Sequence, residues 1–129
     1  MDGASAVVVS FNDCITARDL DGLAGLMSDD HVFIDTAGDS VTGKRACLEA
    51  WRGFFDAYPG YRNSFESMGV DGSVVTIIGH SECPGVPILE GPALWTAVVS
   101  GNRVAQWRVH EDTAEARARL GLSNRASPL

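Results

Sequence analysis

From Arg62 to Glu111 the apolar residues recur with a period of two, in four runs: RNSFESMGV, SVVTIIGHSE, ALWTAVVS and RVAQWRVHE. Alternation of this kind is the mark of half-buried strands. Asp71-Gly72 separates the first two runs and Gly101-Asn102 the last two. Each is a tight-turn dipeptide between apolar runs, so each predicts a hairpin. Between the hairpins, CPGVPILEGP is rich in Pro and Gly and is expected to be irregular. Four consecutive antiparallel strands make a strongly twisted meander. Whatever precedes them has to pack on one face of that sheet.

What precedes them is mostly helical. Over residues 5–18, Val8, Phe11 and Ile15 stand at helical spacing, with Val7 and Cys14 beside them. Asp19 reads as the N-cap of a short second helix whose apolar face is Leu20, Leu23, Leu26 and Met27. Gly22 and Gly25 weaken that helix and point to close packing. HVFID follows as a strand and DTAGDSVTG as its loop. A third helix runs from about Lys44 to Tyr58 with a wide stripe of Cys47, Leu48, Trp51, Phe54, Phe55 and Tyr58, stopped by Pro59 and Gly60. After the last strand, Asp112 or Thr113 caps a short helix, TAEARARL, closed by Gly121, and the tail from about residue 122 is expected to fray. The fold class is α+β: helices segregated to one face of a curved antiparallel sheet, enclosing a cone-shaped interior that favours an apolar pocket.

The 129 residues fit a single domain, residues 1–129. The net charge of −7 disfavours nucleic acid and anionic membrane surfaces as partners. No apolar run approaches a membrane span, and the N-terminus lacks a basic leader, so the expected location is cytoplasmic. Cys14, Cys47 and Cys83 show no CxxC spacing, and His31, His80 and His110 lie far apart. Neither a disulfide framework nor a metal site is expected, and no cofactor is called for.

The stretch DLDGLAGLMSDDHVFID, then G-x(4)-G, then a helix with an aromatic stripe, resembles the nuclear transport factor 2-like superfamily over roughly residues 5–120. Its enzymes include ketosteroid isomerases, SnoaL-type polyketide cyclases, scytalone dehydratase and limonene-epoxide hydrolases. The ending GPALWTAVVSGNRVAQWRVHEDTAEARARLGL looks most like SnoaL-like proteins. The resemblance implies a cone-shaped, cystatin-like roll and a general base at Asp35. The positions of the ketosteroid isomerase oxyanion donors fall on Phe11 and Leu94, and that of a supporting tyrosine falls on Trp51. Phe and Leu cannot donate a hydrogen bond, so steroid isomerisation is disfavoured. The meander carries no Arg-x-Asp tripeptide, which disfavours the epoxide hydrolase chemistry. SnoaL-type cyclases carry an acid on the last strand, and the nearest match is Glu111-Asp112.

Two roles fit Asp35. It closes an Asx turn onto Ala37 or Gly38, or it faces the pocket as a base, since Val32 and Ile34 then share one face and His31, Phe33 and Asp35 the other. An acid in an apolar pocket has its charged form disfavoured by desolvation, which suits a base acting near neutral pH. Glu111, as second acid, shares a face with Trp107 and Val109, or is a solvated strand end. The expected pocket wall is Phe11, Trp51, Phe55, Leu94, Thr96 and Trp107, with Tyr58, Tyr61 and Arg62 near the mouth. Trp95, Ala97 and Val99 are expected to face outward and be covered by a second subunit, giving a homodimer through the sheet. His80 and Glu82, two apart on one strand, form a candidate acid–base pair or an ordinary exposed pair. The functional expectation is a pocket for an apolar small molecule. It belongs either to a cofactor-free isomerase, cyclase or dehydratase, or to a binding protein without chemistry.

Overall fold

The computed structural model describes residues 3–122. The elements are α1 (Gly3–Ala17), α2 (Leu20–Leu26), β1 (Met27–Ile34), β2 (Ser40–Thr42), α3 (Lys44–Ala57), β3 (Arg62–Asp71), β4 (Val74–Glu82), β5 (Gly91–Ser100), β6 (Arg103–Glu111) and α4 (Ala114–Arg119), with a 3-10 turn at Pro87–Leu89. One curved sheet has the order β2-β1-β6-β5-β4-β3. All neighbours are antiparallel except β1 and β6. This is the expected α+β roll. The expected fraying concerns residues that, from 123 onward, lie outside the described part. Among the described residues no helix is long and apolar enough to cross a membrane.

Helix α1 buries Val8, Phe11 and Ile15 completely, which is the stripe its sequence shows. It ends in a left-handed residue, Arg18 at φ 55°, and the Asp19 amide reaches back to the Cys14 carbonyl at 2.8 Å. This six-residue closure satisfies orphan carbonyls of the last turn. Asp19 then opens α2 by accepting from the Gly22 amide at 2.9 Å. A Cβ on Gly22 would lie 2.6 Å from both the Cys14 sulfur and the Asp19 carboxylate, so a larger residue there would displace the Cys14 side chain or the Asp19 cap. Gly25 has open space around it and carries no such constraint.

Three details differ from the sequence reading. Met27 is fully buried but begins β1 instead of ending the helix. Ser40–Thr42 forms β2, pairing Phe33 with Val41; three residues are too few to show alternation. The first hairpin turns at Gly72-Ser73, because Asp71 already pairs with Val74. The second turns at Gly101-Asn102 as expected, Ser100 opposite Arg103.

The largest correction comes from one extra residue in β6. Val99 pairs with Val104, but Val98 pairs with Gln106, so Ala105 is a bulge. Beyond it Ala97 opposes Trp107, Trp95 opposes Val109 and Ala93 opposes Glu111. Unbulged pairing from the same turn would have set Thr96 opposite Trp107. The bulge therefore reverses the expected faces of β5. Trp95, Ala97 and Val99 point into the core with the helices, and Leu94 and Thr96 point to the other side. Trp95 is fully buried against Phe65, ring centroids 5.3 Å apart. It gives no reason to place a second subunit on the sheet.

On the outer side α4 lies beside the end of β6. Thr113, not Asp112, is its N-cap, accepting from the Ala116 amide at 3.0 Å. Asp112 instead receives the Arg117 guanidinium, Nε to Oδ1 at 2.6 Å and Nη2 to Oδ2 at 3.0 Å. Ala116 and Arg119 share a cleft with Arg108 and His110. On the same side Leu94, Thr96 and His110 are buried.

Candidate functional site

Helix α3 carries Cys47, Trp51 and Phe55 on its buried face at four-residue intervals, with Phe54 beside them. Opposite stand Phe33 from β1, Val41 from β2, and Trp107 and Val109 from β6. Together with Ala50 and Tyr61 these residues, Phe55 excepted, wall a cavity of about 210 Å³. It stays open because of how rings pack. Trp51 meets Phe33 at 73° and Phe54 at 88°, and Phe54 meets Tyr61 at 89°. Edge-to-face contacts are favourable, but flat rigid rings set at right angles leave a corner that no side chain fills. The Cys47 thiol donates to the Val41 carbonyl at 3.3 Å, and burial pushes its pKa up. A protonated, bonded thiol is an inert part of the wall.

At Tyr61 the wall becomes polar. Its hydroxyl lies 3.3 Å from Ser81 Oγ, which lies 2.8 Å from Asn63 Oδ1. Asn63 Nδ2 lies 3.3 Å from Asn12 Oδ1, and Asn12 Nδ2 donates to the Asn63 backbone carbonyl at 3.1 Å. The chain runs from α1 through β3 and β4 to the cavity. Burial holds the Tyr61 phenol above its ordinary pKa, so it is neutral. A vestibule of about 370 Å³ shares Tyr61 and Val109 with the cavity and adds Ser81, Glu111 and Thr36. Part of its rim is the 3-10 turn, where Ile88 is almost wholly exposed.

Of the residues singled out in the sequence, Trp51 and Trp107 stand in the cavity wall. Phe11 lies behind Trp107 at 4.9 Å and Phe55 behind Trp51 at 5.4 Å, both as core. Tyr58 caps α3 and packs on Phe54 at 5.0 Å, outside the wall. Leu94 and Thr96 are on the opposite face, Thr96 Oγ1 being 2.9 Å from His110 Nε2. Asp35 Oδ1 accepts from the amides of Ala37 at 2.9 Å and Asp39 at 3.0 Å. That is the Asx-turn geometry, and Asp35 is in neither the cavity wall nor the vestibule wall. Glu111 is in the vestibule wall. His80 lies 3.1 Å from Glu66 and 3.2 Å from Glu82, and these carboxylates hold it above its ordinary pKa. Glu82 also takes Arg62 at 2.9 Å, so the His80–Glu82 pair belongs to an exposed ion cluster. Among the described residues no group of three or more His, Cys, Asp or Glu could hold a metal ion.

Sequence reasoning placed Tyr61 near the mouth and left Phe33, Val41, Phe54 and Val109 out of the expected wall. Phe33 was legible, since it alternates with the inward His31. Phe54 stands in the α3 stripe. Val41 becomes visible only once β2 is seen to pair. Tyr61, expected near the mouth, follows the Pro59-Gly60 stop and is half-buried against Phe54 in the wall itself.

The architecture is a cone-shaped α+β roll with an aromatic-walled cavity inside it. The SnoaL-like domain model matches residues 8–112, and the chain belongs to that family. Solved structures agree on the fold. A candidate SnoaL-like polyketide cyclase from Shewanella putrefaciens is 22% identical over 94% of this chain and 87% of that one, with a TM-score of 0.76. A limonene-epoxide-hydrolase-like epoxide hydrolase from M. tuberculosis is 19% identical over 85% and 83%, TM-score 0.74. A candidate polyketide cyclase from Sinorhizobium meliloti is 19% identical over 85% and 100%, TM-score 0.73. No curated protein matches the chain at a significant level.

Proposed function

We propose that this protein binds an apolar, ring-bearing small molecule in the cavity between α3, β1 and β6. The observation that carries the reading is the wall itself: rigid rings of Phe33, Trp51, Phe54 and Trp107 around an unfilled space, with polarity confined to one side. Flat apolar walls with few polar groups suit a flat apolar guest. The test is a calorimetric titration with an alkylbenzene, together with NMR of the Trp51 and Trp107 indole N–H signals. Both signals should shift on binding. Ala50→Phe should block the space and abolish the shift. Unchanged affinity in that variant would move the site elsewhere.

The catalytic version of the reading is favoured by one observation, an acid in the vestibule wall. Chemistry of the isomerase, cyclase or dehydratase kind, a proton taken from carbon, would fall to Glu111. Asp35 holds two backbone amides and is absent from both walls. Exchange of the α-protons of 2-indanone for deuterium tests this by NMR. Acceleration over buffer that is lost in Glu111→Gln and kept in Asp35→Asn supports Glu111 as base. Loss in Asp35→Asn alone would return the base to Asp35.

A further inference from the structure

The hydrogen-bond chain behind Tyr61 has a fixed direction, and the direction is set by the backbone. The Asn63 carbonyl can only accept, so the Asn12 group 3.1 Å from it must be the NH₂. That turns Asn12 Oδ1 toward Asn63, and only the Asn63 NH₂ can face it at 3.3 Å without placing two acceptors together. Asn63 Oδ1 is then turned to Ser81, 2.8 Å away, and has to be given a proton. Ser81 has one hydroxyl proton and donates it there. Between Tyr61 and Ser81, at 3.3 Å, the remaining donor is the phenol. Each link leaves the next no choice, because a reversed link would bury an unpaired group.

Resting on the proposed cavity, we infer that Tyr61 is a hydrogen-bond acceptor there, and that the ligand carries a neutral O–H or N–H donor beside its apolar ring. With its proton committed to Ser81, the phenol oxygen turns lone pairs toward the boundary of cavity and vestibule, both of which Tyr61 lines. A phenol or an alcohol on a ring satisfies it. A carbonyl, a carboxylate or an enolate oxygen does not, since it would face another acceptor. This is the reverse of an oxyanion hole, which needs donors at that point. Binding of neutral Tyr61 as acceptor is sustained by its burial, which keeps the phenolate out of reach at neutral pH.

Three probes of one shape test this: 4-propylphenol, its methyl ether and 4-propylbenzaldehyde, titrated by calorimetry with the two indole signals reporting the location. The phenol should bind about tenfold more tightly than the ether, the difference one paired donor makes. Tyr61→Phe should close that gap. Ser81→Ala, which frees the Tyr61 proton to turn to the ligand, should raise the affinity of the aldehyde several-fold relative to the phenol. If the ether binds as well as the phenol while the indoles shift, the acceptor assignment falls and the cavity stands. An aldehyde that wins in the parent chain, or a ratio unmoved by Ser81→Ala, overturns the direction of the chain. If none of the three shifts either indole, the cavity reading fails and takes this inference with it.

Discussion

On the helix-facing side of β5 and β6, Trp95, Ala97 and Trp107 are buried among aromatic rings. On the opposite side Leu94, Thr96 and His110 are buried as well, yet this side is closed differently. Thr96 pairs with His110, and α4 lies close by with its Arg117–Asp112 pair, whose side chains keep only 7% and 5% exposure. The outer side is filled by short side chains and a buried ion pair. Large flat rings on the inner side do not fit together without a remainder. Burial alone therefore does not mark the binding side of this sheet. Shape does, because rigid rings leave space where flexible and short groups adjust.

The inner face is most sensitive at Gly79, which stands opposite Phe65. A Cβ there would meet the Ser64 carbonyl oxygen at 2.1 Å and Phe65 Cα at 3.1 Å, both backbone atoms of the partner strand. Gly79→Ala is expected to cost about 3 kcal/mol or more in urea unfolding. A parent-like midpoint would mean the two strands are not held at this distance.

Next is the outer seal. Asp112→Asn leaves the Arg117 charge buried with a weaker partner and is expected to cost about 2 kcal/mol by the same measurement. The cavity on the other face should keep its ligand affinity. A parallel loss of binding would show that the two faces are not independent.

The two faces also carry one buried histidine each. Burial lowers the pKa of His31, whose Nδ1 is 2.6 Å from the Val104 carbonyl, and of His110, which is pushed down to about 4 by burial and by Arg108 and Arg119. Both are held below the unfolded value of 6.5. The unfolded chain then binds protons that the native chain does not, so stability falls as pH drops from 6.5 toward about 4. After allowance for solvent screening, His110→Asn is expected to remove about 1.5 kcal/mol of that pH-dependent loss. The inner His31 should supply the remainder. His80 shifts the other way, and its contribution fades as pH rises above its folded value. Melts at pH 4.5, 6.5 and 8 separate the two signs.

The smallest effect concerns Asp35. Replacing its carboxylate with Ala removes acceptors for two amides and should cost about 1 kcal/mol. Ligand affinity in the cavity should be unchanged. A fall in affinity without a fall in stability would bring Asp35 to the ligand and redraw the site.

The helices show how far the sequence reading carries. The α1 stripe, the Asp19 cap and the α3 aromatic stripe follow from local spacing and local hydrogen bonds, and they stand where the spacing puts them. The inward Phe33 was likewise readable from alternation in β1. Leu94 and Thr96 were not, because their direction depends on how many residues lie between a turn and a partner on another strand. One bulged alanine, a small residue with no signature of its own, changes that count. Tyr61 was obscured for a related reason. Its role rests on Ser81, Asn63 and Asn12, and even the directly bonded pair Asn12 and Asn63 lies 51 residues apart in sequence.

By itself the sequence determined the element types, most of their order, the resemblance that names the family, and the two tryptophans that wall the cavity. Those features depend on periods of two and of about four and on caps, all of which act within a few residues. The tertiary structure alone decided the faces of β5, the presence of β2, the turn role of the Asp35 carboxylate and the donor direction at Tyr61. Each of these depends on which groups from distant segments meet. A hydrogen bond's direction in particular is fixed by its far end, here a backbone carbonyl that can only accept.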